Sequence, residues 1–385
     1  MKIGGAQKSL LSFLQCLSST QVGGEVELHL MVIDQRGPFF SQIPENIKLV
    51  DAPKELLWLS VPMSSRLLRH ISLHCVKGQL CWLGQKQKRS SQHIAQQKWN
   101  CWKPFVPENA EKYDVAISYI DGCPNYYVMD KVQACKKVLW IHSDYLKQGY
   151  DPGFDRPFFE KSDAIVTISH RCKQSIVMAF PRMAEKVHVL ENITDCDAVL
   201  QKSKTGGCPE FADATRLKLL TVGRLHPQKG IDLAIGAAKH LKEAGVPFKW
   251  LVAGEGAQRA ELQRMIDDSG LSQYFQLLGA RENPYAYMAQ CDMIVQPSRV
   301  EGKSIVLDEA KILCKPIVVT DYATVRDSIV HGQSGWIAQM SAQGLYEGIL
   351  HLSQNPQLCR QMTENLQNMP KGNEKELEQY VKILF

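Results

Sequence analysis

Two short stretches hold residues suited to chemistry. In "GRLHPQKG" (223–230) the cations Arg224 and Lys229 follow Gly223 at the end of an apolar run and precede a helical pattern. That is a strand-to-helix loop, where open α/β sheets bind anions because helix N-terminal amides add to the cationic charge. In "EGKSIVLDEA" (301–310), Glu301 and Glu309 stand eight positions apart, with Gly302 and Ser304 just behind the first. This stretch also follows an apolar run, "DMIVQP" (292–297), and a Ser-Arg-Val turn. Acids near a helix start favour its dipole, so either stretch alone has an ordinary reading as a solvated loop. Together, on one sheet edge, they gather two cations, two carboxylates and backbone amides near Gly302 and Ser304. A nucleotide diphosphate sugar has complementary needs: cations and amides for the diphosphate, and carboxylates that can each accept two adjacent hydroxyl protons. The glutamates then face the hydroxyl-rich groups on either side of the phosphates, and Arg224 and Lys229 offset their charge.

The elements that must position these residues are legible from short runs of Val, Ile and Leu alternating with helical patterns, the mark of parallel sheets covered by helices. Strands are predicted at 25–33, 113–119, 137–142, 163–169 and 186–190 in the first half, and at 217–223, 248–254, 275–279, 292–297 and 315–320 in the second. Helices are predicted at 231–245 and 257–270, the latter closed by a glycine. Each half reads as a doubly wound Rossmann-like domain. The aperiodic stretch "QKSKTGGCPEFADAT" suggests a linker at 201–215 between an N-terminal domain (1–200) and a C-terminal domain (216–370). A last helix at 371–385 is expected to cross back to the first domain. Only three residues precede the glycine pair at Gly4 and Gly5, so the first domain lacks its usual first strand or the chain start lies too late.

A chain of 385 residues exceeds the usual span of one core, and 44% hydrophobic content suffices to fill two. No run approaches the roughly 18 apolar residues of a membrane-spanning helix, and the N-terminus lacks the order of a signal peptide, so a cytoplasmic protein is expected. The 12 cysteines form no C-x2-C pair and no zinc spacing, which points to free thiols. "NIT" (192–194) matches a glycosylation acceptor by chance in that setting.

The second half resembles family four of the retaining GT-B glycosyltransferases, marked by a G-R-L…K-G loop and by two glutamates separated by seven residues. "GRLHPQKG" and the Glu301 to Glu309 spacing carry that resemblance, with "LVAGEG" (251–256), "LLGA" (277–280) and "PSRVEG" (297–302) in support. Over the first half, "GGAQKSL", "HSD" (142–144), "TISH" (167–170) and "VLENITD" (189–195) are similar to the family's glycine loop, histidine region and inter-domain crossing. The resemblance implies a GT-B fold, two Rossmann-like domains facing across a cleft, and transfer with retention of configuration. It also implies roles: Arg224 and Lys229 on the donor diphosphate, the amides of Ser304 and Ile305 on a phosphate, Glu309 on the ribose and Glu301 on the donor sugar. Gly5 would admit the backbone to the reacting centre, and His142 would lie beside the donor sugar. Lys303 replaces an aromatic or small residue of the family, so a third cation near the phosphates is expected. No cofactor beyond the donor substrate is implied, and no metal. The DxD pair "DCD" (195–197) lies at the domain crossing, away from both phosphate loops.

Charge adds a partner. Residues 1–195 carry 24 basic against 19 acidic residues, whereas 196–385 carry 21 of each. Within the first half, residues 54–103 hold nine Lys or Arg, one acid (Glu55) and the tryptophans Trp58, Trp82, Trp99 and Trp102. Cations with interfacial aromatics suit an anionic membrane, so this segment is expected to dock the enzyme on the inner face of the plasma membrane and present a glycan or lipid-linked acceptor. A helical excursion packed on the first domain is the competing reading. Nucleic acid fits less well, because the second half is neutral and no recognition motif appears. A sugar-nucleotide epimerase or hydrolase on the same scaffold, or a non-catalytic glycan-binding subunit, would need the same diphosphate site but no acceptor transfer.

Overall fold

In the computed structural model the described residues are 5–19, 26–35, 37, 39–60, 90–213, 215–373 and 376–384. They form two units, Met1–Asn192 with Lys375–Phe385, and Ile193–Glu374.

The second unit is built on six parallel strands: Leu217–Val222, Phe248–Ala253, Phe275–Gly279, Met293–Gln296, Ile317–Thr320 and Trp336–Ala338. Successive side chains of a strand point to opposite faces, and here both faces are covered. Leu219, Trp250, Val252, Val295 and Val318 pack with Ala234 and Leu241 of helix Ile231–Glu243 and with Leu345 and Ile349 of helix Ala342–Gln354. Leu220, Leu251, Ile294, Ile317 and Val319 pack on the other side with Leu307 and Ala310 of helix Ile305–Ile312. That double burial explains the unbroken apolar runs that made these strands recognisable.

Leu217–Val222 lies in the middle of the sheet. The chain winds first to one side through Phe248–Ala253 and Phe275–Gly279, then crosses to the other through Met293–Gln296, Ile317–Thr320 and Trp336–Ala338. The reversal falls between Leu217–Val222 and Met293–Gln296, and the loops leaving the C-terminal ends of those two strands lead to helices on opposite faces of the sheet, the place where such folds bind ligands. These loops are 223–230, the first stretch singled out by its chemistry, and 297–304, which runs into the second at 301–310.

The first unit has a four-stranded parallel sheet, Lys112–Ser118, Gln133–Ile141, Ala164–Thr167 and Val187–Val189, lying side by side in sequence order. A separate parallel pair joins His29–Met31 to Lys48–Val50. Helix Gly5–Ser19 opens the described chain; Leu11 packs near Val32, just after the first strand of the pair, and Phe13 against Tyr380 of helix Glu376–Leu384, with ring centroids 4.8 Å apart. Tyr380 is fully buried, 5.7 Å from the Trp140 ring, and donates its hydroxyl to the Glu191 carbonyl at 2.8 Å.

Three expectations change here. The linker at 201–215 is packed structure inside the second unit: helix Cys196–Ser203 runs into it, and Cys208 and Phe211 are buried beside Leu220, Tyr285 and Met288. A segment without periodicity can still be anchored by single apolar side chains, so the boundary lies near residue 193. Trp99 and Trp102 belong to the core of the first unit: Trp99 is fully buried, with its Nε1 donating to Asp130 Oδ2 at 3.0 Å, and Trp102 packs in the same cluster. These two rings therefore have no membrane face. Residues 61–89 of the basic segment, Trp82 among them, lie outside the described residues. Finally, strands Lys48–Val50 and Trp336–Ala338 went unrecognised because three residues are too few to show a period. Among the described residues, no helix is long and apolar enough to cross a membrane.

Candidate active site

The loop after Leu217–Val222 is laid flat by the glycines of "AGEG". A Cβ on Gly254 would sit 1.8 Å from the Gly223 carbonyl oxygen, and one on Gly256 would sit 2.2 Å from that of Leu225. Backbone bonds hold the contact: Gly223 N to Ala253 O and Leu225 N to Glu255 O, each 3.0 Å. Leu225 is fully buried, so Arg224 beside it is turned out and exposed. The chain then makes a 3₁₀ turn, Pro227–Lys229, and enters helix Ile231–Glu243 through Gly230 at φ +61°. Only glycine fits there, because a Cβ would meet the Pro297 carbonyl oxygen at 2.0 Å. The two loops thus touch through their backbones. His226, within the same loop, is held below the usual histidine range by burial and then by the charges of Arg224 and Lys229.

Glu301 is the centre of the second loop. Its Oε1 accepts from Lys229 Nζ at 2.5 Å, Ser298 Oγ at 2.6 Å and Gln296 Nε2 at 2.9 Å, and its main-chain carbonyl accepts from Thr324 Oγ1 at 2.8 Å. Among the described residues no donor reaches Oε2. One carboxylate oxygen is therefore fixed by three donors while the other is left to accept hydroxyl protons. Gln296 and Ser298 are buried, so these donors are held in place by the core. Ser304, at the mouth of helix Ile305–Ile312, donates its hydroxyl to Gln296 Oε1 at 2.9 Å and does not cap its own helix. The Ser304 and Ile305 amides open that helix and have no acceptor within it.

Glu309, in the second turn of this helix, is 1% exposed, and Tyr285 donates its hydroxyl to Oε1 at 3.2 Å. Burial and then the Glu309 charge push the Tyr285 phenol well up. Lys303 departs from expectation: its side chain is only 6% exposed and its Nζ lies 4.0 Å from Asp308 Oδ2, so it is folded toward the helix's own acid and is not presented as an open third cation. Asp195 of the DxD pair is a helix cap, accepting from Ala198 N at 2.8 Å.

In the first unit, His142 follows strand Gln133–Ile141, and its Nε2–H donates to the Tyr119 carbonyl at 2.8 Å, which leaves Nδ1 as the unprotonated nitrogen. Burial pushes the imidazole down, outweighing the Asp121 carboxylate, which pulls it up. Ser9, one turn into the helix that Gly5 begins, shares a 2.7 Å bond with the Tyr119 hydroxyl and donates to Asn192 Oδ1 at 2.9 Å. Gly5 itself is exposed at the helix start. Tyr119 thereby joins Gly5's helix to His142, a link its place in the chain did not announce. Gln296 was also missed, although a polar residue closing an otherwise apolar buried run, "MIVQ", is a signal that could have found it.

Of the expected residues, Gly223, Arg224, Lys229, Glu301, Gly302, Ser304, Ile305 and Glu309 lie on the two loops and one helix flanking the switch point, and Gly5 and His142 belong to first-unit elements linked through Ser9 and Tyr119. Residues 209–369 match the model of the family described as glycosyl transferases group 1. Alpha-D-kanosaminyltransferase of Streptomyces kanamyceticus is 24% identical over 76% of this chain and 77% of its own length. The amylovoran biosynthesis glycosyltransferase AmsK of Erwinia amylovora is 33% identical over 66% of this chain and 63% of its own. The crystal structure of Anabaena HepE in complex with UDP-glucose superposes with a TM-score of 0.70 at 16% identity, covering 99% of this chain and 95% of that one. Both phosphate-loop motifs thus stand on one switch point inside residues 209–369, the part that matches the group 1 glycosyltransferase model, and the chain shares the GT-B fold of HepE.

Proposed function

We propose that the protein transfers a sugar from a nucleotide diphosphate sugar to a hydroxyl of a glycan or lipid-linked acceptor, with retention of configuration and without a bound metal, in the synthesis of a bacterial surface polysaccharide. The observation that carries this reading is the divided carboxylate of Glu301: one oxygen held by Lys229, Ser298 and Gln296, the other open, next to an uncapped helix start. Such a group can accept a sugar hydroxyl while its lysine partner serves an adjacent phosphate.

In this reading the bond between the anomeric carbon and the phosphate oxygen breaks as the acceptor oxygen bonds to the same face of that carbon. The departing phosphate oxygen takes the acceptor proton. Arg224, Lys229 and the amides of Ser304 and Ile305 stabilise the charge that develops on the diphosphate, more in the transition state than in the ground state. Glu309 serves the ribose, and roles for His142 at the donor sugar and for the Gly5 backbone at the reacting centre rest on the family resemblance alone. The bound UDP-glucose of HepE and the polysaccharide named for AmsK support this choice of donor and product class.

The test is release of nucleoside diphosphate from UDP-, GDP- and ADP-sugars with and without glycan acceptors. Release only with acceptor is expected; acceptor-independent release would favour a hydrolase, and none at all a binding subunit. Glu301→Ala is expected to abolish transfer while leaving nucleoside diphosphate binding largely intact, and unaltered turnover would remove that glutamate from the site. Activity should persist in EDTA, and a strict requirement for manganese or magnesium would overturn the metal-free mechanism.

Peripheral membrane docking belongs to the same reading, narrowed to residues 61–89, which hold six Lys or Arg and no acid. Each cation near an anionic surface contributes about 1 kcal/mol. Sedimentation with anionic vesicles at low salt should exceed that with neutral ones; equal binding would remove the electrostatic part.

A further inference from the structure

The residue pair Arg299–Asp232 ties the two donor loops together, and neither residue has a place in the chemistry set out above. Arg299 Nη1 and Nη2 donate to Asp232 Oδ1 and Oδ2 at 2.7 and 2.5 Å, a two-pronged pair. The same Nη1 donates to the Pro227 carbonyl at 2.9 Å, and the Arg299 main-chain N–H donates to the Gln228 carbonyl at 2.7 Å. Asp232 is the second residue of helix Ile231–Glu243. Burial pushes its carboxyl up, but the hydrogen bonds and charge of Arg299 outweigh that and hold it below the usual carboxylate range. Arg299 therefore grips the first loop at three successive features, the turn at Pro227, the carbonyl of Gln228 and the start of the helix, all within three residues of Lys229. It does so from a position two residues before Glu301.

We infer that Arg299 and Asp232 are positioning residues for the donor site: they set the register between the loops at which Lys229 Nζ and Glu301 Oε1 come to 2.5 Å, and so pre-form the diphosphate cradle. This rests on the donor-binding reading proposed above. The pair is about one-third exposed on each side, at 35% and 33%. Partly exposed ion pairs contribute modestly to stability, two-pronged arginine–carboxylate pairs more than others. Removing one partner should therefore act on ligand geometry with little effect on folding, and lysine cannot replace the planar fork that spans both carboxylate oxygens and a carbonyl.

The experiment titrates UDP, GDP and ADP against the intact wild-type chain by calorimetry and carries the tightest forward to Arg299→Ala, Arg299→Lys, Asp232→Asn and the double variant Arg299→Ala/Asp232→Asn. Thermal unfolding and, with the matching sugar nucleotide, KM and kcat are measured alongside. Each single variant is expected to weaken nucleoside diphosphate binding and raise the donor KM about tenfold, with the melting temperature nearly unchanged. The double variant should be no worse than the worse single, because both remove one interaction, and Arg299→Lys should recover only part of the loss. Wild-type binding in the variants, additive losses, or losses that follow a falling melting temperature would each overturn the inference while leaving the proposed function standing. If no nucleoside diphosphate binds the wild-type chain, the donor-site reading falls and the positioning role falls with it.

Discussion

At the scale of single residues, the site depends on how charge is divided among a few oxygens. Glu301 tolerates a buried flank because Lys229, Ser298 and Gln296 all address one of its oxygens. Lys229→Ala would leave that carboxylate with neutral donors only, a net negative charge where a diphosphate must sit. Hydrogen bonds to charged groups are worth roughly 1.5–3 kcal/mol, so nucleoside diphosphate affinity should fall by about ten- to a hundredfold in a calorimetric titration; an unchanged affinity would separate Lys229 from the phosphates. His142 gives a prediction in pH. Its buried imidazole is held neutral in the folded chain, whereas the unfolded chain binds a proton near pH 6.5. The stability it contributes is complete above that pH and is lost as the pH falls toward its lowered folded value, by up to about 1.4 kcal/mol per pH unit. Replacing it as His142→Gln should flatten the fall in melting temperature between about pH 7 and pH 5; a parallel curve would show that the ring is not buried neutral.

At the scale of elements, the decisive feature is backbone proximity. Two motifs 70-odd positions apart in the chain become neighbours because the strands before them are hydrogen-bonded through Met293↔Leu219 and Ile294↔Leu220. Gly230 records how close they come. Gly230→Ala would place a side chain on a left-handed backbone and against the Pro297 carbonyl. Overpacking of that kind costs about 1–3 kcal/mol, and relief requires the loops to part. The variant should therefore lower the melting temperature and lose nucleoside diphosphate affinity together, the coupled loss that Arg299 variants are expected not to show. Retained affinity in Gly230→Ala would mean that the loops need not touch for binding. The helix at 305–312 adds a second element-level effect: Ser304 is spent on Gln296 and not on its own helix, whose opening Ser304 and Ile305 amides have no intrahelical acceptor.

At the scale of the whole molecule, the chain returns to its first unit through helix Glu376–Leu384 after completing the second. Tyr380 sits between Phe13 and Trp140 with its hydroxyl on Glu191. Tyr380→Ala should destabilise the first unit by about 3–5 kcal/mol, seen as an earlier denaturant transition of Trp140 fluorescence with the second unit's transition unmoved; no shift would show that this helix adds nothing to the unit's core. By itself the sequence determined the parallel α/β character, most strands of both units, and the residue types at the two phosphate loops, because apolar runs and glycine positions are local consequences of double burial and tight turns. Tertiary structure alone decided the rest. It moved 201–215 from linker to packed element, put Trp99 and Trp102 in the core, folded Lys303 toward Asp308 and set Arg299 astride both loops. The physical reason is that periodicity reports whether a side chain is covered but not what covers it. Strand order and the partners of a buried polar atom are set by pairings between residues far apart in the chain, and only the folded sheet brings those residues together.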